Sequence, residues 1–460
     1  MKNIFFCCCY CITLTCAGQT MRDKLTKAMA QLEADSQFRH ALVAMTVRNS
    51  TSNALVYAHN AAIGVAPAST QKLFTSVAAF ELLGGSFQYS TTFSYQYLPD
   101  SLQEAVLLVQ PSGDPSFGSS RFAGTQPEKI IAAIAHSAQQ SPIKPKAVKT
   151  VVLPLFTDDL PGGWVWDDIG NYYGAGAFSC NWRENQYDLL LSSGKQVGDT
   201  ALVAATVPVT MQQPLESHLQ SAAEGTGDNT IVYLPYGAHT ASIVGTIPVN
   251  EKAFAVSASI TDPYNAFARE LAAAMQLPVQ ASSVLLQAPV ADNRRRTTTL
   301  FTHVSPSFDS LNYWFLRKSI NLYGEAFLKT MALRQKGIGS TSTGVTLLKE
   351  FWKTRGIEPA ALHLYDGSGL SPQNRVTTDA LVSVLQYARA RSWYNSFYLA
   401  LPTYNGMKIK SGSINGVRSF AGYHTAKDGV QYSFAIVVNN FDGSAAAAVK
   451  KIFLLLDNLK

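Results

Sequence analysis

Near the start of the chain, the spacing of apolar side chains changes from helical to strand-like. Residues 21–34 carry apolar side chains three and four positions apart, which predicts an amphipathic helix. Residues 40–47 and 54–59 are strand-like runs on either side of a polar turn, which predicts two adjacent strands. The helical stripe consists of Leu25, Met29 and Leu32.

A second helix is predicted to begin near Ser69 and to end at Gly84 and Gly85, because glycine commonly terminates helices. Apolar side chains cover most of its circumference, so the helix is expected to be buried at the centre of the fold. These side chains are Leu73, Phe74, Val77, Ala78, Ala79, Phe80, Leu82 and Leu83.

From about residue 87 to residue 288 the pattern is dominated by short strand-like runs. Two helical patterns interrupt them, at residues 127–139 and 263–275. The strands are predicted at residues 88–97, 105–109, 148–155, 187–191, 201–209, 230–234 and 253–258.

The last third of the chain returns to helical spacing and ends in strands and a helix. Helices are predicted within residues 307–335 and at 343–354, 378–390 and 446–459. Strands are predicted at residues 407–410, 419–424 and 430–439, the last two forming a hairpin.

This order predicts a mixed α/β (α+β) fold in which one domain is built from both ends of the chain. Residues 19–86 and 289–460 would form an antiparallel sheet flanked by helices. Residues 87–288 would be a β-rich insertion of one or two accessory domains.

The first 18 residues are typical of a secretory signal peptide, with Lys2 before a short apolar run and small residues near the end. Cleavage is expected near Ala17 or Gly18, and lipidation of Cys16 is the alternative. An exported, periplasmic protein is therefore predicted. Only Cys180 would remain in the mature chain, and we expect a buried structural thiol there.

Composition narrows the class of protein. Hydrophobic residues make up 47% and charged residues 15% of the chain, which favours a globular protein with a large core. The net charge of +6 is dispersed except at Arg294, Arg295 and Arg296, and no nucleic-acid motif accompanies that cluster. The mild positive charge would permit peripheral adhesion to a membrane surface.

The first candidate for chemistry is Ser69-Thr70-Gln71-Lys72 at the start of the apolar helix. Residues three apart lie on one helix face, so Lys72 would lie beside Ser69. A buried lysine with a lowered pKa can take the proton of a serine hydroxyl and make it nucleophilic. The Ser-x-x-Lys spacing also occurs at Ser141 and Ser192, but in loop-like contexts.

The second candidate is Ser319-Ile320-Asn321 in a segment predicted to be helical. Its serine can relay a proton, and its asparagine amide can hold a substrate carbonyl. The alternative is an ordinary helix surface, since Ser-x-Asn occurs elsewhere in the chain.

The third candidate is Lys410-Ser411-Gly412 at the end of a predicted strand. The lysine would supply positive charge and the serine a hydroxyl, and the glycine would let a substrate backbone approach closely. The alternative is an edge strand protected by a lysine.

In this order the three motifs resemble those of β-lactamases and penicillin-binding proteins. The chain is similar to class C low-molecular-mass penicillin-binding proteins, the D-alanyl-D-alanine carboxypeptidase/endopeptidases, which also carry large extra domains between the first and second motifs. Further stretches of resemblance lie at residues 113–117, 164–168, 173–175, 318–322, 366–371 and 410–418.

The resemblance implies a serine β-lactamase/transpeptidase-like domain and a role for each motif. Ser69 would be acylated, Lys72 would be its general base, Ser319 would shuttle a proton and Asn321 would bind the substrate amide. Lys410 and Ser411 would hold the substrate carboxylate beside Gly412. The backbone N–H groups of Ser69 and Ser413 would form the oxyanion hole.

The resemblance also implies that Asp168 and Tyr173 contact the amino end of a meso-diaminopimelate side chain, with ordinary loop packing as the alternative. This chain departs from the family at Ser411, where threonine is usual, and at Ile320, where aspartate is common and the side chain is expected to face away from the substrate. It also lacks a proline often found within residues 174–176.

The leading hypothesis is a serine carboxypeptidase or endopeptidase of peptidoglycan peptides, with β-lactams as covalent inhibitors and no metal or organic cofactor. A β-lactamase is a second hypothesis, although no glutamate stands out as a water-activating base. A non-catalytic wall-binding protein or antibiotic sensor is the third. The carboxypeptidase and endopeptidase activities are not distinguished by the sequence.

Overall fold

The computed structural model describes residues 19–97, 105–209, 211, 214–235, 240–284 and 297–460. The predicted signal peptide of residues 1–18, including Cys16, and the basic cluster of residues 294–296 lie outside the described residues.

Within these residues the chain forms runs of helices and runs of strands. The helices are α1 (Met21–Ala34), α2 (Lys72–Leu82), α3 (Pro127–Gln140), α4 (Trp166–Ile169), α5 (Pro263–Met275), α6 (Phe308–Arg317), α7 (Asn321–Lys336), α8 (Thr341–Lys353), α9 (Thr378–Arg389), α10 (Tyr394–Ala400) and α11 (Ala445–Leu456). The first strands are β1 (Leu42–Asn49), β2 (Leu55–His59), β3 (Ser90–Tyr97), β4 (Ala105–Gln110), β5 (Thr150–Val152), β6 (Gln186–Ser192), β7 (Thr200–Val207), β8 (Leu215–Ala222), β9 (Asn229–Tyr233) and β10 (Ala241–Pro248). The remaining strands are β11 (Phe254–Ser259), β12 (Ser283–Val284), β13 (Thr297–Val304), β14 (Leu362–His363), β15 (Arg375–Val376), β16 (Thr403–Tyr404), β17 (Met407–Ile414), β18 (Val417–Thr425) and β19 (Gln431–Asn439).

One antiparallel sheet combines the two ends of the chain, in the order β16-β17-β18-β19-β1-β2. Strand β19 pairs with β1 from Leu42 opposite Asn439 to Asn49 opposite Tyr432. Strand β19 is buried on both faces, which explains its long apolar run. The predicted antiparallel sheet and its C-terminal hairpin are confirmed.

Helices cover both faces of this sheet. On one face, Ala44, Ala435 and Val437 belong to the core that contains α2, α7 and α9. On the other face, alternate residues such as Met45 and Ile436 pack against α1 and α11. Helix α2 is buried along nearly its whole length, as its apolar circumference predicts.

The middle of the chain forms two further sheets, ordered β11-β6-β7-β8-β10-β9 and β12-β5-β4-β3-β13. Side chains from both sheets share one hydrophobic cluster with α3 and α5, centred on residues such as Phe93, Trp182 and Phe267. The division into 19–86 with 289–460 and an inserted 87–288 remains a prediction about domains. Strand β13 pairs with β3 of the inserted segment, although that division assigned it to the catalytic domain.

The sequence analysis did not predict strands β8 and β10 or helix α10. In β8 the outward side chains are polar, and only Leu219 and Ser221 are buried. Strand β10 contains Gly245 and ends at Pro248, both unfavourable in strands. The two strands pair in parallel with each other, so tertiary contact overrides their weak local preference. Helix α10 spans only seven residues, too few for a periodic signal.

Cys180 is buried and free, as predicted, and burial raises the pKa of its thiol to about 12. Among the described residues, no helix is long and apolar enough to cross a membrane.

Helix α2 begins at Lys72, the last residue of the first motif, and is buried in the main core, so its packing should contribute strongly to the stability of the fold. Phe74 is fully buried and meets the Trp352 ring edge-on at 5.8 Å. We expect Phe74→Ala to lower the free energy of unfolding by about 3–5 kcal/mol, because it leaves a cavity in a packed core. Denaturant unfolding followed by circular dichroism measures this change.

Leu454→Ala on α11 is the matched control, since that side chain is 61% exposed. It should change the free energy of unfolding by no more than about 0.5 kcal/mol. Equal effects of the two variants would contradict the central position of α2.

Candidate active site

A cavity of about 1270 Å³ lies where the inserted segment meets the sheet built from both chain ends. Its lining residues come from the inserted segment, from β17, β18 and the segment after β19, from the start of α7 and from residues 369–372. Predicted site residues on its surface are Ser69, Asp168, Tyr173, Ser319, Asn321, Ser411 and Ser413. The three motifs, far apart in sequence, therefore meet around one cavity.

Ser69 lies in a 3-10 turn, Ala68–Gln71, that leads directly into α2. Its neighbours Ala68 and Thr70 are fully buried, whereas Ser69 is half-buried and faces the cavity. Ala68 adopts a φ of +48°, a left-handed conformation that alanine rarely adopts. Such local strain commonly occurs where a functional side chain must be held in position.

Lys72 follows one turn later and is completely buried. Its Nζ lies 3.0 Å from Ser69 Oγ, 2.5 Å from Asn321 Oδ1 and 2.7 Å from the Ser368 carbonyl oxygen. Burial lowers the pKa of Lys72 to about 7, although Asp366 and Glu325 oppose this shift. A neutral amine could donate to the amide and the carbonyl and still accept the hydroxyl proton of Ser69.

Ser319 does not lie within a helix, so the predicted helical context of the second motif is wrong. Helix α6 ends at Arg317 and α7 begins at Asn321, with Ser319 between them at a φ of +59°. The left-handed residue breaks the helix and turns the chain, because continued helix needs negative φ. Ile320, expected to face away from the substrate, is among the residues that line the cavity.

Asn321 is the first residue of α7 and is only 7% exposed. Its Oδ1 accepts the bond from Lys72, and its Nδ2 donates to the Tyr173 carbonyl oxygen at 2.7 Å. The amide therefore joins the first motif to the inserted segment. One N–H of Nδ2 remains for another acceptor.

Lys410 is 1% exposed, and its Nζ donates to Ser319 Oγ at 2.9 Å and to the Ser411 carbonyl oxygen at 2.6 Å. Burial, reinforced by the charge of Lys72, lowers the pKa of Lys410 well below its ordinary value. The expected fixed positive charge is therefore disfavoured at this position. The contact with Ser319 connects the second and third motifs.

The third motif lies in the middle of β17, not at a strand end, because residues 411–414 continue the pairing with β18. A Cβ at Gly412 would lie 2.8 Å from the Ser69 nitrogen and 2.7 Å from the Pro67 carbonyl oxygen. Glycine is therefore required so that β17 can pass close to the backbone of Ser69. Ser411 and Ser413, on either side, both line the cavity.

Asp168 and Tyr173 lie on the wall formed by the inserted segment, in α4 and the 3-10 turn that follows. Burial, with the nearby charge of Asp167, raises the pKa of Asp168 to about 6. Burial and the charge of Asp168 raise the pKa of Tyr173 to about 12. A Cβ at Gly174 would lie 2.0 Å from the Asp168 carbonyl oxygen, so glycine permits the close fold of this loop.

Asp366 lies buried beside the loop that contacts Lys72. It was not predicted as a site residue, although residues 366–371 were among the stretches that resemble the family. It is fully buried, and its carboxylate accepts bonds from side chains and backbone of several segments. The donors are Gln71 Nε2 at 2.9 Å, Trp164 Nε1 at 2.9 Å, the Gly369 nitrogen at 2.8 Å, the Ser371 nitrogen at 2.7 Å and Asn374 Nδ2 at 2.9 Å. The carboxylate thereby fixes the loop whose Ser368 carbonyl contacts Lys72.

Helix α7 carries a buried polar stripe at a spacing of four, made of Asn321, Glu325 and Lys329. Glu325 accepts bonds from the Gly367 nitrogen at 3.0 and 3.1 Å, and burial raises the pKa of its carboxyl group. Lys329 donates to the Asp158 and Ala177 carbonyl oxygens of the inserted segment. Only the periodicity of polar residues on this otherwise apolar helix could have indicated the stripe.

No cluster of three or more potential metal ligands occurs among the described residues.

The D-Ala-D-Ala carboxypeptidase 3 (S13) family matches residues 25–458. A D-alanyl-D-alanine carboxypeptidase of Actinomadura sp. (strain R39) is 23% identical, covering 95% of this chain and 86% of that protein. The crystal structure of penicillin binding protein 4 from Haemophilus influenzae superposes with a TM-score of 0.75 at 20% identity, covering 95% of this chain and 99% of the other. The same protein in complex with a β-lactam gives a TM-score of 0.71 at 19% identity, covering 94% and 98% of the two chains.

Replacing the carboxylate that supports the site should destabilise the whole fold. We expect Asp366→Asn to lower the free energy of unfolding by about 3 kcal/mol, because an amide offers one acceptor oxygen and leaves buried donors unpaired. Chemical denaturation of the purified protein gives this value.

Asp379→Asn is the control, because Asp379 is 46% exposed and forms a partly solvated ion pair with Arg48 at 2.7 Å. Its loss should cost about 1 kcal/mol or less. A change at Asp366 as small as the change at Asp379 would show that the loop is held by other contacts.

Proposed function

The chain belongs to the D-Ala-D-Ala carboxypeptidase 3 (S13) family, and from this membership we propose that it hydrolyses D-alanyl peptide bonds of peptidoglycan through an acyl-enzyme at Ser69. It is a serine-type hydrolase of the penicillin-binding class. The assignment of individual residues to steps is our proposal.

The contact between Lys72 and Ser69 is the observation that carries this proposal. A serine hydroxyl is a weak nucleophile unless a base within hydrogen-bond reach removes its proton. The 3.0 Å separation of Lys72 Nζ and Ser69 Oγ meets this requirement. The pKa of about 7 leaves much of the lysine neutral near physiological pH.

In the acylation step, Ser69 Oγ attacks the carbonyl carbon of the D-alanyl residue, and its proton passes to Lys72. The backbone N–H groups of Ser69 and Ser413 stabilise the oxyanion. When the C–N bond breaks, the leaving amine takes a proton through Ser319. Water then attacks the ester, releases the shortened peptide and restores the Ser69 hydroxyl.

The contacts of the second and third motifs support their roles in this sequence. Ser319 Oγ accepts a bond from Lys410 at 2.9 Å, so its own proton is free to point toward the leaving group. Asn321 retains one amide N–H for the substrate carbonyl beyond its bond to Tyr173. Ser411 supplies a hydroxyl for the substrate carboxylate on the strand that carries Lys410.

The wall that carries Asp168 and Tyr173 supports recognition of a diamino acid side chain. Among the described residues no cation is bonded to the Asp168 carboxylate, and it borders the cavity. An ammonium group at the end of a diaminopimelate side chain would complement it. The charged form of Asp168 predominates above pH 6, which matches this use near neutral pH.

The substrate and the inhibitors follow from the same chemistry. A β-lactam presents a strained amide to Ser69, and its acyl-enzyme would persist if water cannot reach it. The penicillin binding protein 4 of Haemophilus influenzae has been solved with a β-lactam. Action on peptidoglycan would require export, which agrees with the signal peptide predicted at residues 1–18.

Intact mass spectrometry after incubation with benzylpenicillin tests the nucleophile. We expect a stable gain of one penicilloyl group on the wild-type protein and none on Ser69→Ala, because Ser69 Oγ borders the cavity 3.0 Å from the buried amine of Lys72, the proposed base. Digests of muropeptides then show whether free D-alanine or a cleaved cross-link is released.

Ser192→Ala is the matched control, because Ser192 begins another Ser-x-x-Lys sequence but lies in β6. It should be acylated like the wild type. An adduct on Ser69→Ala would refute the assignment, whereas penicillin consumed without an adduct would indicate a β-lactamase. Intact penicillin with no adduct would indicate a non-catalytic protein.

The pKa of Lys72 predicts how acylation depends on pH. Only the neutral amine accepts a proton, so the second-order rate constant for acylation should rise with pH and level off above about pH 7. Between pH 6 and pH 8 the increase should be about tenfold, measured by stopped-flow with a chromogenic β-lactam.

Lys72→Arg is the accompanying variant, since a guanidinium stays protonated throughout this range. It should acylate at least about a hundredfold more slowly and lose the inflection. An inflection that persists in Lys72→Arg would assign the titration to another group.

A further inference from the structure

Arg418 lies on the cavity surface but has no assigned role. It is the second residue of β18 and lies directly opposite Ser413 in the pairing with β17. Residues directly opposite in an antiparallel pair point to the same face of the sheet. Arg418 and Ser413 both line the cavity that contains Ser69.

Only one nitrogen of the Arg418 guanidinium donates hydrogen bonds to described residues of the protein. Its Nη1 donates to the Ile414 carbonyl oxygen at 3.1 Å and to the Val417 carbonyl oxygen at 2.6 Å. Its Cζ lies 5.5 Å from the centroid of the Phe441 ring, within the range of a cation–π contact. Within the described residues no acceptor bonds to Nε or Nη2, and no carboxylate forms an ion pair with it.

The free atoms are those that a carboxylate prefers. Nε and Nη2 present parallel N–H groups on one edge of the guanidinium, which can bind both oxygens of a carboxylate. Burial lowers the pKa of Arg418 from its ordinary value, yet a guanidinium remains charged near neutral pH. A carboxylate ligand would replace the hydration that the partly buried cation has lost.

The other cations near Ser69 are less suited to this task. Lys72 and Lys410 are buried, and each donates hydrogen bonds to acceptors of the protein. Burial also lowers the pKa of both amines. Lys318 lines the cavity but is exposed on the segment between α6 and α7. Arg418 is therefore the cation on the β17–β18 wall that combines permanent charge, fixed orientation and free donors.

We propose that Arg418 is a specificity-determining residue that binds the free carboxylate of the leaving-group residue in a bidentate manner. The inference rests on the proposed hydrolysis at Ser69 and names the substrate group that its β17–β18 wall recognises. The hydroxyl of Ser411 adds a hydrogen bond from the same wall, while the charge comes from Arg418.

This assignment gives the cavity two poles of opposite charge. Asp168 and the exposed Asp167 lie on the wall of the inserted segment, and Arg418 lies on the wall of the sheet. Arg121 and Glu184 also line the cavity, but they neutralise each other through an ion pair at 2.9 Å. A peptide with an ammonium group before the scissile bond and a carboxylate after it would bind in one direction only.

Two matched peptides test the proposal: a stem peptide ending in D-Ala-D-Ala with a free carboxylate and the same peptide with a C-terminal carboxamide. The wild type should have the higher kcat/KM for the acid. In Arg418→Ala, kcat/KM for the acid should fall about 10- to 100-fold, as expected for loss of a charge-assisted bidentate bond. The value for the amide should change less than about twofold, so that the preference disappears.

Lys318→Ala is the matched control, because it removes another cation of the same cavity and should keep the acid-over-amide preference. Arg418→Lys keeps the positive charge but loses the two parallel N–H donors, so it should retain part of the preference for the acid. This variant also tests the site if circular dichroism shows that Arg418→Ala folds poorly. An equal fall for both peptides in Arg418→Ala, or a wild type without preference, would overturn the inference and leave the proposed hydrolysis standing. A wild type that cleaves neither peptide and leaves muropeptide cross-links intact would overturn both.

Discussion

The site depends on an amine kept away from water beside Ser69. Burying Lys72 favours its neutral form, and the structure offsets part of that cost with the Asn321 amide and the Ser368 carbonyl. The loop that supplies this carbonyl is held in turn by Asp366, whose carboxylate accepts five bonds from surrounding donors. Ser69 therefore lies at the end of a buried polar network, and substitutions at Asp366 or in the loop that it holds should alter the pKa of Lys72.

The inserted segment takes part in this network and does not merely cover it. Asn321 bonds the Tyr173 carbonyl, Trp164 bonds Asp366, and Lys329 bonds carbonyl oxygens near residues 158 and 177. Two of these three contacts come from one polar stripe on α7. Because the same helix positions Asn321 beside Lys72, attachment of the insertion and orientation of the reactive groups are physically linked.

The cavity combines a strongly constrained centre with walls of opposite charge. At the centre, strand β17 passes so close to Ser69 that only glycine fits at position 412. On the walls, Asp168 and Arg418 keep side-chain groups that no described residue pairs with. In the proposed mechanism the constrained centre would set the geometry of bond cleavage, and the charges of Asp168 and Arg418 would set the direction in which a zwitterionic peptide binds.

The sequence by itself determined the elements with strong periodicity and the residues with distinctive spacing. Helix α2 and strand β19 were predicted because apolar patterns are local signals, and Ser69, Lys72 and Lys410 were candidates because short motifs are local signals too. Tertiary structure decided features that depend on contacts between distant segments: the parallel pairing of β8 with β10, the left-handed break at Ser319 and the placing of β13 beside β3. It also decided the environment of Asp366, Glu325 and Arg418. The burial of a side chain and its hydrogen-bond partners depend on packing between distant segments, so a local sequence pattern does not predict them.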